Sequence, residues 1–117
     1  MRVQKEIVGI GTDIVEIERL RNARELKRAA DFFFLPSELR DMKKSRNQAE
    51  FVASRLAAKE AVIKAYPGTI HYHDIAITKR GKKIIAKLVR PADKKFTVFV
   101  SIAHEKKYAL GYAILCT

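Results

Sequence analysis

At Pro67-Gly68 the apolar residues of this chain change their period from about 3.6 to about 2, and few folds accommodate both halves. Upstream, Phe51, Val52, Leu56, Val62, Ile63 and Tyr66 recur at helical spacing, with alanines small enough for close contacts between them. The helix start is marked twice, by a Ser45-x-x-Gln48 capping box and by Asn47 three residues ahead of Glu50. Proline cannot continue the hydrogen-bond ladder and glycine tolerates the reversal, so the helix stops there. Downstream, residues 74–78 and 84–88 flank the basic turn Lys79-Arg80-Gly81-Lys82-Lys83, which predicts a hairpin. After Pro91-Ala92-Asp93, Phe96, Val98, Val100 and Ile102 alternate with Thr97, Phe99, Ser101 and Ala103. A connection through His104-Glu105-Lys106-Lys107 leads to a last strand from Tyr108 to Leu115. Helices first and antiparallel strands afterwards predict an α+β fold, with an antiparallel sheet packed on the long helix.

The first third of the chain supplies the rest. Residues 6–13 predict a short strand, whose Gly9 and Gly11 mark a place where another backbone approaches closely. Ile14 to Ala30 predicts a helix, with Ile17, Leu20, Ala23 and Leu26 at three-residue steps. Its polar side is dense in Arg19, Arg21, Arg24, Lys27 and Arg28. Pro36 and Glu38 suit the first turn of a short second helix ending near Lys44.

Residues 1–117 are expected to form one domain, without internal repeats or linkers. Hydrophobic residues at 48% and charged residues at 32% fit a globular chain with a real core. No apolar run is long enough to span a membrane, and residues 1–6 lack the pattern of a signal peptide. A single cysteine, Cys116, forms no internal disulfide, so a cytoplasmic setting is expected. The formal net charge of +11 calls for an acidic partner: nucleic acid, an anionic cofactor or an acidic protein.

Two segments place polar groups where packing does not demand them. Asp13 follows the glycine-rich strand and reads either as the N-cap of the next helix or as a carboxylate metal ligand at a strand end. Glu60 and Lys64, four apart on the long helix, read either as an i,i+4 ion pair or as a metal ligand and a phosphate contact. Arg55 and Lys59 would extend that positive surface along the helix. His104, after the strand from Phe99 to Ala103, is either a surface turn residue or a phosphate contact. His71 and His73 would share a strand face, but two histidines without a third ligand fall short of a zinc site. Gly9-x-Gly11 is too short for a dinucleotide fingerprint, and no phosphate-binding loop or serine elbow is present.

Taken together, these pieces resemble the holo-acyl-carrier-protein synthase family, the small phosphopantetheinyl transferases. The matching segments are residues 9–17 (Gly-Ile-Gly-Thr-Asp-Ile-Val-Glu-Ile), residues 54–65 (Ser-Arg-Leu-Ala-Ala-Lys-Glu-Ala-Val-Ile-Lys-Ala), and residues 100–104 (Val-Ser-Ile-Ala-His) with Tyr108-Ala109. They occur in family order and span nearly the whole chain. The resemblance implies transfer of the phosphopantetheine arm of coenzyme A to a serine of an acidic acyl carrier protein, with adenosine 3',5'-bisphosphate leaving. It implies a phosphopantetheinyl transferase-like fold, a magnesium site at Asp13 and Glu60, and Lys64 beside the reacting pyrophosphate. Asp13, Glu60 and Lys64 would then be the catalytic set. Arg55, Lys59, Lys64, Gly81, Lys82 and His104 would hold coenzyme A. The serine proton would leave to Glu60 or to water at the metal, and both remain open. The family is usually a trimer with its clefts between protomers, so a homotrimer is implied as well.

The chain departs from the family at three places. The loop after the long helix, Tyr66-Pro67-Gly68-Thr69-Ile70, is one glycine short. The turn Gly81-Lys82-Lys83 lacks the usual proline, and Ala103 stands where a serine or threonine is common. Arg80, Lys82 and Lys83 are expected to compensate with charge. The basic residues Arg19, Arg21, Arg24, Lys27 and Arg28 are expected to dock the acidic carrier, with Arg19 as anchor. A small basic nucleic-acid-binding domain is the alternative reading, but aromatics are not interleaved with the basic residues and no recognition motif is present.

Overall fold

The computed structural model of the protein describes residues 5–90 and 95–117. The expected turn at Pro91-Ala92-Asp93 and the first four residues lie outside the described residues. Eight elements follow in order: β1 (Ile7–Glu16), α1 (Ala23–Phe33), α2 (Pro36–Lys43), α3 (Gln48–Ala65), β2 (Ile75–Arg80), β3 (Lys83–Leu88), β4 (Thr97–His104) and β5 (Tyr108–Cys116). Single 3-10 turns occur at Glu18–Leu20 and Tyr72–Asp74. The fold is α+β, with all strand pairing antiparallel. One sheet has the order β1-β5-β4, and β2 and β3 form a separate hairpin.

The long helix sits at the centre. Asn47 caps it, its Oδ1 accepting from the Glu50 amide at 3.1 Å, so the second of the two sequence signals sets the start. Ser45 instead donates its hydroxyl to the Asn47 carbonyl. Eleven of its eighteen residues are buried, because β1 and β5 cover one side and α1 and α2 another. The alanine ridge Ala57, Ala61 and Ala65 faces Gly111, Gly11 and Gly9. A Cβ built on any of these glycines would overlap the helix backbone, so helix and sheet meet at main-chain distance. The expectation attached to Gly9 and Gly11 holds, and α3 is the backbone that approaches.

The first helix differs from expectation. Residues 14–16 continue β1, which pairs with β5 through Glu16↔Tyr108, and the Ile17 amide still donates to the Lys107 carbonyl at 2.8 Å. Nine residues of β5 offer a complete set of partners, and that ladder outweighs a short helical spacing. Ile17 and Leu20 are buried through the 3-10 turn rather than through a helix face. The helix starts nine residues late, at Ala23, after Asn22, whose Oδ1 accepts from the amides of Arg24 and Glu25 at 2.9 and 3.2 Å. Asp13 is therefore no N-cap; it lies inside β1 opposite Gly111.

Two apolar cores flank α3. Val62, Ile70, Ile75, Ile77 and Leu115 join it to the two sheets. Ile17, Leu20, Phe34, Val52 and Ala109 join it to the 3-10 turn and α1. At the hairpin tip Gly81 takes φ 59° while Lys82 keeps a negative φ, the pattern of a type II′ turn that matches strand twist. No helix among the described residues is long and apolar enough to cross a membrane.

Candidate active site

The close approach of β1 to α3 brings three sequence-selected side chains together. Asp13 lies on the same strand face as Gly11, which abuts Ala61. Lys64 crosses from α3 to β1, its Nζ donating to Asp13 Oδ1 and to the Thr12 carbonyl, each at 3.0 Å. Glu60 does not pair with Lys64. Its Oε1 accepts a 2.6 Å hydrogen bond from the Tyr72 hydroxyl. That phenol is pushed up to about 12 by burial first, then by its bond to Glu60 and the negative fields of Glu60 and Asp13. Both carboxylates thus bear on one hydroxyl, which stays a donor at any working pH.

Lys59 does not extend a positive surface. It is fully buried, and its three donors go to Glu38 Oε1 at 2.7 Å and to the carbonyls of Phe33 and Tyr72 at 2.9 Å each. Burial pulls its ammonium below the usual lysine range, opposed by the hydrogen bond and charge of Glu38. Glu38, also buried, accepts in addition from the amides of Leu35 and Ile77 at 2.7 and 2.8 Å. The pair ties the end of α1, the start of α2, α3, the Tyr72 turn and β2 at one point. The physical reason for the difference is angular: residues 55 and 59 lie well over a quarter-turn around the helix from residues 60 and 64, toward α2.

Arg55 follows the same side of α3. Its guanidinium lies 4.4 Å from the Phe51 ring centroid and is pulled down from the usual arginine range by burial, against the charges of Asp41 and Glu38. It opens on a cavity of about 520 Å³ that also receives Lys44, Lys79, Lys82 and His104. His104 Nε2 is 3.2 Å from Glu50 Oε1 in that wall. Arg55, Lys82 and His104 therefore meet, with Gly81 shaping the turn beside them, while Lys59 and Lys64 lie elsewhere.

The basic segment splits into paired and unpaired charges. Arg21 meets Glu18 at 3.4 Å and the Lys106 carbonyl at 3.3 Å, Lys27 meets Asp31 at 2.7 Å, and Arg28 meets Glu25 at 3.6 Å. Arg19 and Arg24 have no acidic partner among the described residues. Arg19 sits in the 3-10 turn, not on a helix rising from Asp13. With Arg28, Glu16 and Glu25 it rims a slot of about 800 Å³ floored by Val15, Leu20, Phe32 and Leu56. Val15 and Leu56 are one step along the strand and helix faces from Asp13 and Glu60, and Phe33 packs on Tyr72, so the slot borders the carboxylates.

Sequence reasoning missed Tyr72, Glu38, Lys44 and Lys79. Tyr72 stood between His71 and His73, which drew attention as metal ligands; both are exposed, and His73 lies in a 3-10 turn rather than a strand. Among the described residues no three of His, Cys, Asp and Glu gather as a metal cluster.

Comparison with known proteins adds independent findings. A family model described as the 4'-phosphopantetheinyl transferase superfamily matches residues 9–113. The holo-[acyl-carrier-protein] synthase of Dechloromonas aromatica is 36% identical, covering 93% of this chain and 97% of its own length. That of Vibrio cholerae is 37% identical, with the same coverage. The crystal structure of a holo-(acyl-carrier-protein) synthase from Bacillus anthracis in complex with CoA (3',5'-ADP) superposes with a TM-score of 0.82 at 30% identity, over 95% of this chain and 97% of that one. The Helicobacter pylori holo-[acyl-carrier-protein] synthase in complex with coenzyme A gives 0.77 at 27% identity, over 91% and 98%.

Proposed function

This chain belongs to the 4'-phosphopantetheinyl transferase superfamily, and we propose that it transfers the phosphopantetheine arm of coenzyme A to a serine of an acidic acyl carrier protein. The observation that carries this reading is the convergence of Asp13, Glu60 and Lys64 where β1 meets α3. In the transfer, the serine hydroxyl gives its proton to Glu60 or to water as its oxygen bonds to the phosphorus bearing the arm, and the pyrophosphate bridge breaks, releasing adenosine 3',5'-bisphosphate. Such a reaction gains little from an enzyme nucleophile and much from placed charge.

The donor set fits magnesium. Asp13 on β1 and Glu60 on α3 supply oxygen ligands from the two elements that meet here, and two carboxylates leave positions for substrate phosphates and water, which this cation prefers. Asp13 and Glu60 would hold it, and when bound it would neutralise charge on the pyrophosphate oxygens. Lys64, half-exposed and tethered to Asp13, is placed to meet the charge that develops on the departing bisphosphate. The cavity of Arg55, Lys44, Lys79, Lys82 and His104 suits an anionic end of coenzyme A. The slot, with Arg19 at its rim and an apolar floor, suits a carrier segment that brings an acidic residue to Arg19 and an apolar one to Phe32 and Leu56.

The assembly is a homotrimer in this reading. Ile10, Ile114 and Phe99 are opposed across the three strands, and with Ile14 and Tyr112 they leave the sheet face away from α3 apolar and exposed. An uncovered patch of this kind marks an interface. The chain is read as one domain acting in the cytoplasm, in fatty acid biosynthesis. Incubation with coenzyme A, magnesium and a panel of apo carrier proteins tests the activity by mass. A carrier gaining one phosphopantetheine supports it, and no gain on any carrier with folded protein removes it.

A further inference from the structure

Glu60 has an obvious partner that it does not take. On an isolated helix its carboxylate would lean toward Lys64, one turn on. Here Lys64 is drawn across to Thr12 and Asp13, and Glu60 is turned to the Tyr72 hydroxyl at 2.6 Å. Tyr72 in turn is fixed on three sides. Its carbonyl accepts from the buried Lys59 ammonium at 2.9 Å. Its ring packs edge-on against Phe33, with centroids 4.4 Å apart at 79°. Its 3-10 turn is closed by the Asp74 carboxylate, which accepts from the His71 amide at 2.8 Å.

We infer that Tyr72 is a positioning residue for Glu60: it holds Oε1 and leaves Oε2 free to serve the cation. This rests on the metal reading above. The hydroxyl reaches Glu60 from outside the helix, so it holds the carboxylate by a contact that does not depend on Lys64. A carboxylate fixed by one oxygen binds a small cation through the other, which leaves room for phosphate oxygens and water around an octahedral ion. The chain Glu38–Lys59–Tyr72–Glu60 carries the rigidity of the core to that oxygen, since Lys59 and Glu38 are both buried with every donor used.

The test is Tyr72→Phe in the full chain, which keeps the ring against Phe33 and removes only the hydroxyl. Manganese binding in the presence of coenzyme A, read by electron paramagnetic resonance, gives a dissociation constant independent of turnover. The constant is expected to rise about 10-fold or more, with coenzyme A affinity in chelator and the melting temperature nearly unchanged. Turnover should recover in part as magnesium is raised. In a Glu60→Gln background the same substitution should change manganese affinity little, because no carboxylate remains to orient. An unchanged constant for Tyr72→Phe, or an equal loss in the Glu60→Gln background, overturns the inference. Failure of the unsubstituted protein with coenzyme A to take up manganese removes the metal reading, and this inference falls with it.

Discussion

Lys64 Nζ lies 3.0 Å from Asp13 Oδ1, although the two residues are separated by most of the amino-terminal half of the chain, and this contact bridges α3 and β1. It joins a group on a strand to one on a helix without using Glu60, the neighbour that helical spacing offers. Lys64 and Asp13 are thereby paired with each other, while Glu60 is held separately by the Tyr72 hydroxyl.

Asp13→Ala and Glu60→Ala should each abolish magnesium-dependent transfer, by on the order of 10²-fold or more, because each removes half of a two-carboxylate site. Chelator should do the same to the unsubstituted protein, and magnesium should restore it. Carrier mass and circular dichroism check the outcome; near-normal turnover in either folded variant would remove the metal assignment.

Lys64→Ala should lower kcat by roughly 10²-fold and leave the Michaelis constant for coenzyme A within a few-fold. The ammonium acts on charge that appears in the transition state. An effect seen only in the Michaelis constant would make Lys64 a binding residue.

Lys59→Met should cost about 3–5 kcal/mol of stability, since it leaves Glu38 buried without its partner. Pairing it with Glu38→Leu should return part of that loss. Thermal or urea unfolding measures both. If the single variant is as stable as the parent, the buried pair is not what joins α2 to α3.

Arg19→Glu with Arg24→Glu should raise the Michaelis constant for the carrier about 10-fold and flatten its salt dependence, leaving coenzyme A unaffected. These two arginines have no acidic partner among the described residues, so they act outward. Unchanged carrier kinetics would move the docking face elsewhere.

Ile114→Asp should break the assembly, because it sets a charge in the middle of the apolar sheet face. Sedimentation should show the parent as a trimer and the variant as a smaller species. A parent that sediments as an active monomer would remove the homotrimer.

What the amino-acid sequence determined by itself was whatever depends on neighbours in the chain. The bounds of α3 follow from Asn47 and Pro67-Gly68, the hairpin from its basic Gly81 turn, and the later strands from alternation, because caps, turns and pleats act within a few residues. Gly9 and Gly11 announced a close approach, though not the partner. The tertiary structure alone decided where β1 ends, since residues 14–16 stay extended only because β5 lies alongside to satisfy their hydrogen bonds. It also decided that Lys59 is buried while Lys64 is free to cross to β1, and that Tyr72 rather than Lys64 takes Glu60. A charged side chain chooses among partners by distance and burial, and those distances are set only when strand, turn and helix have packed together.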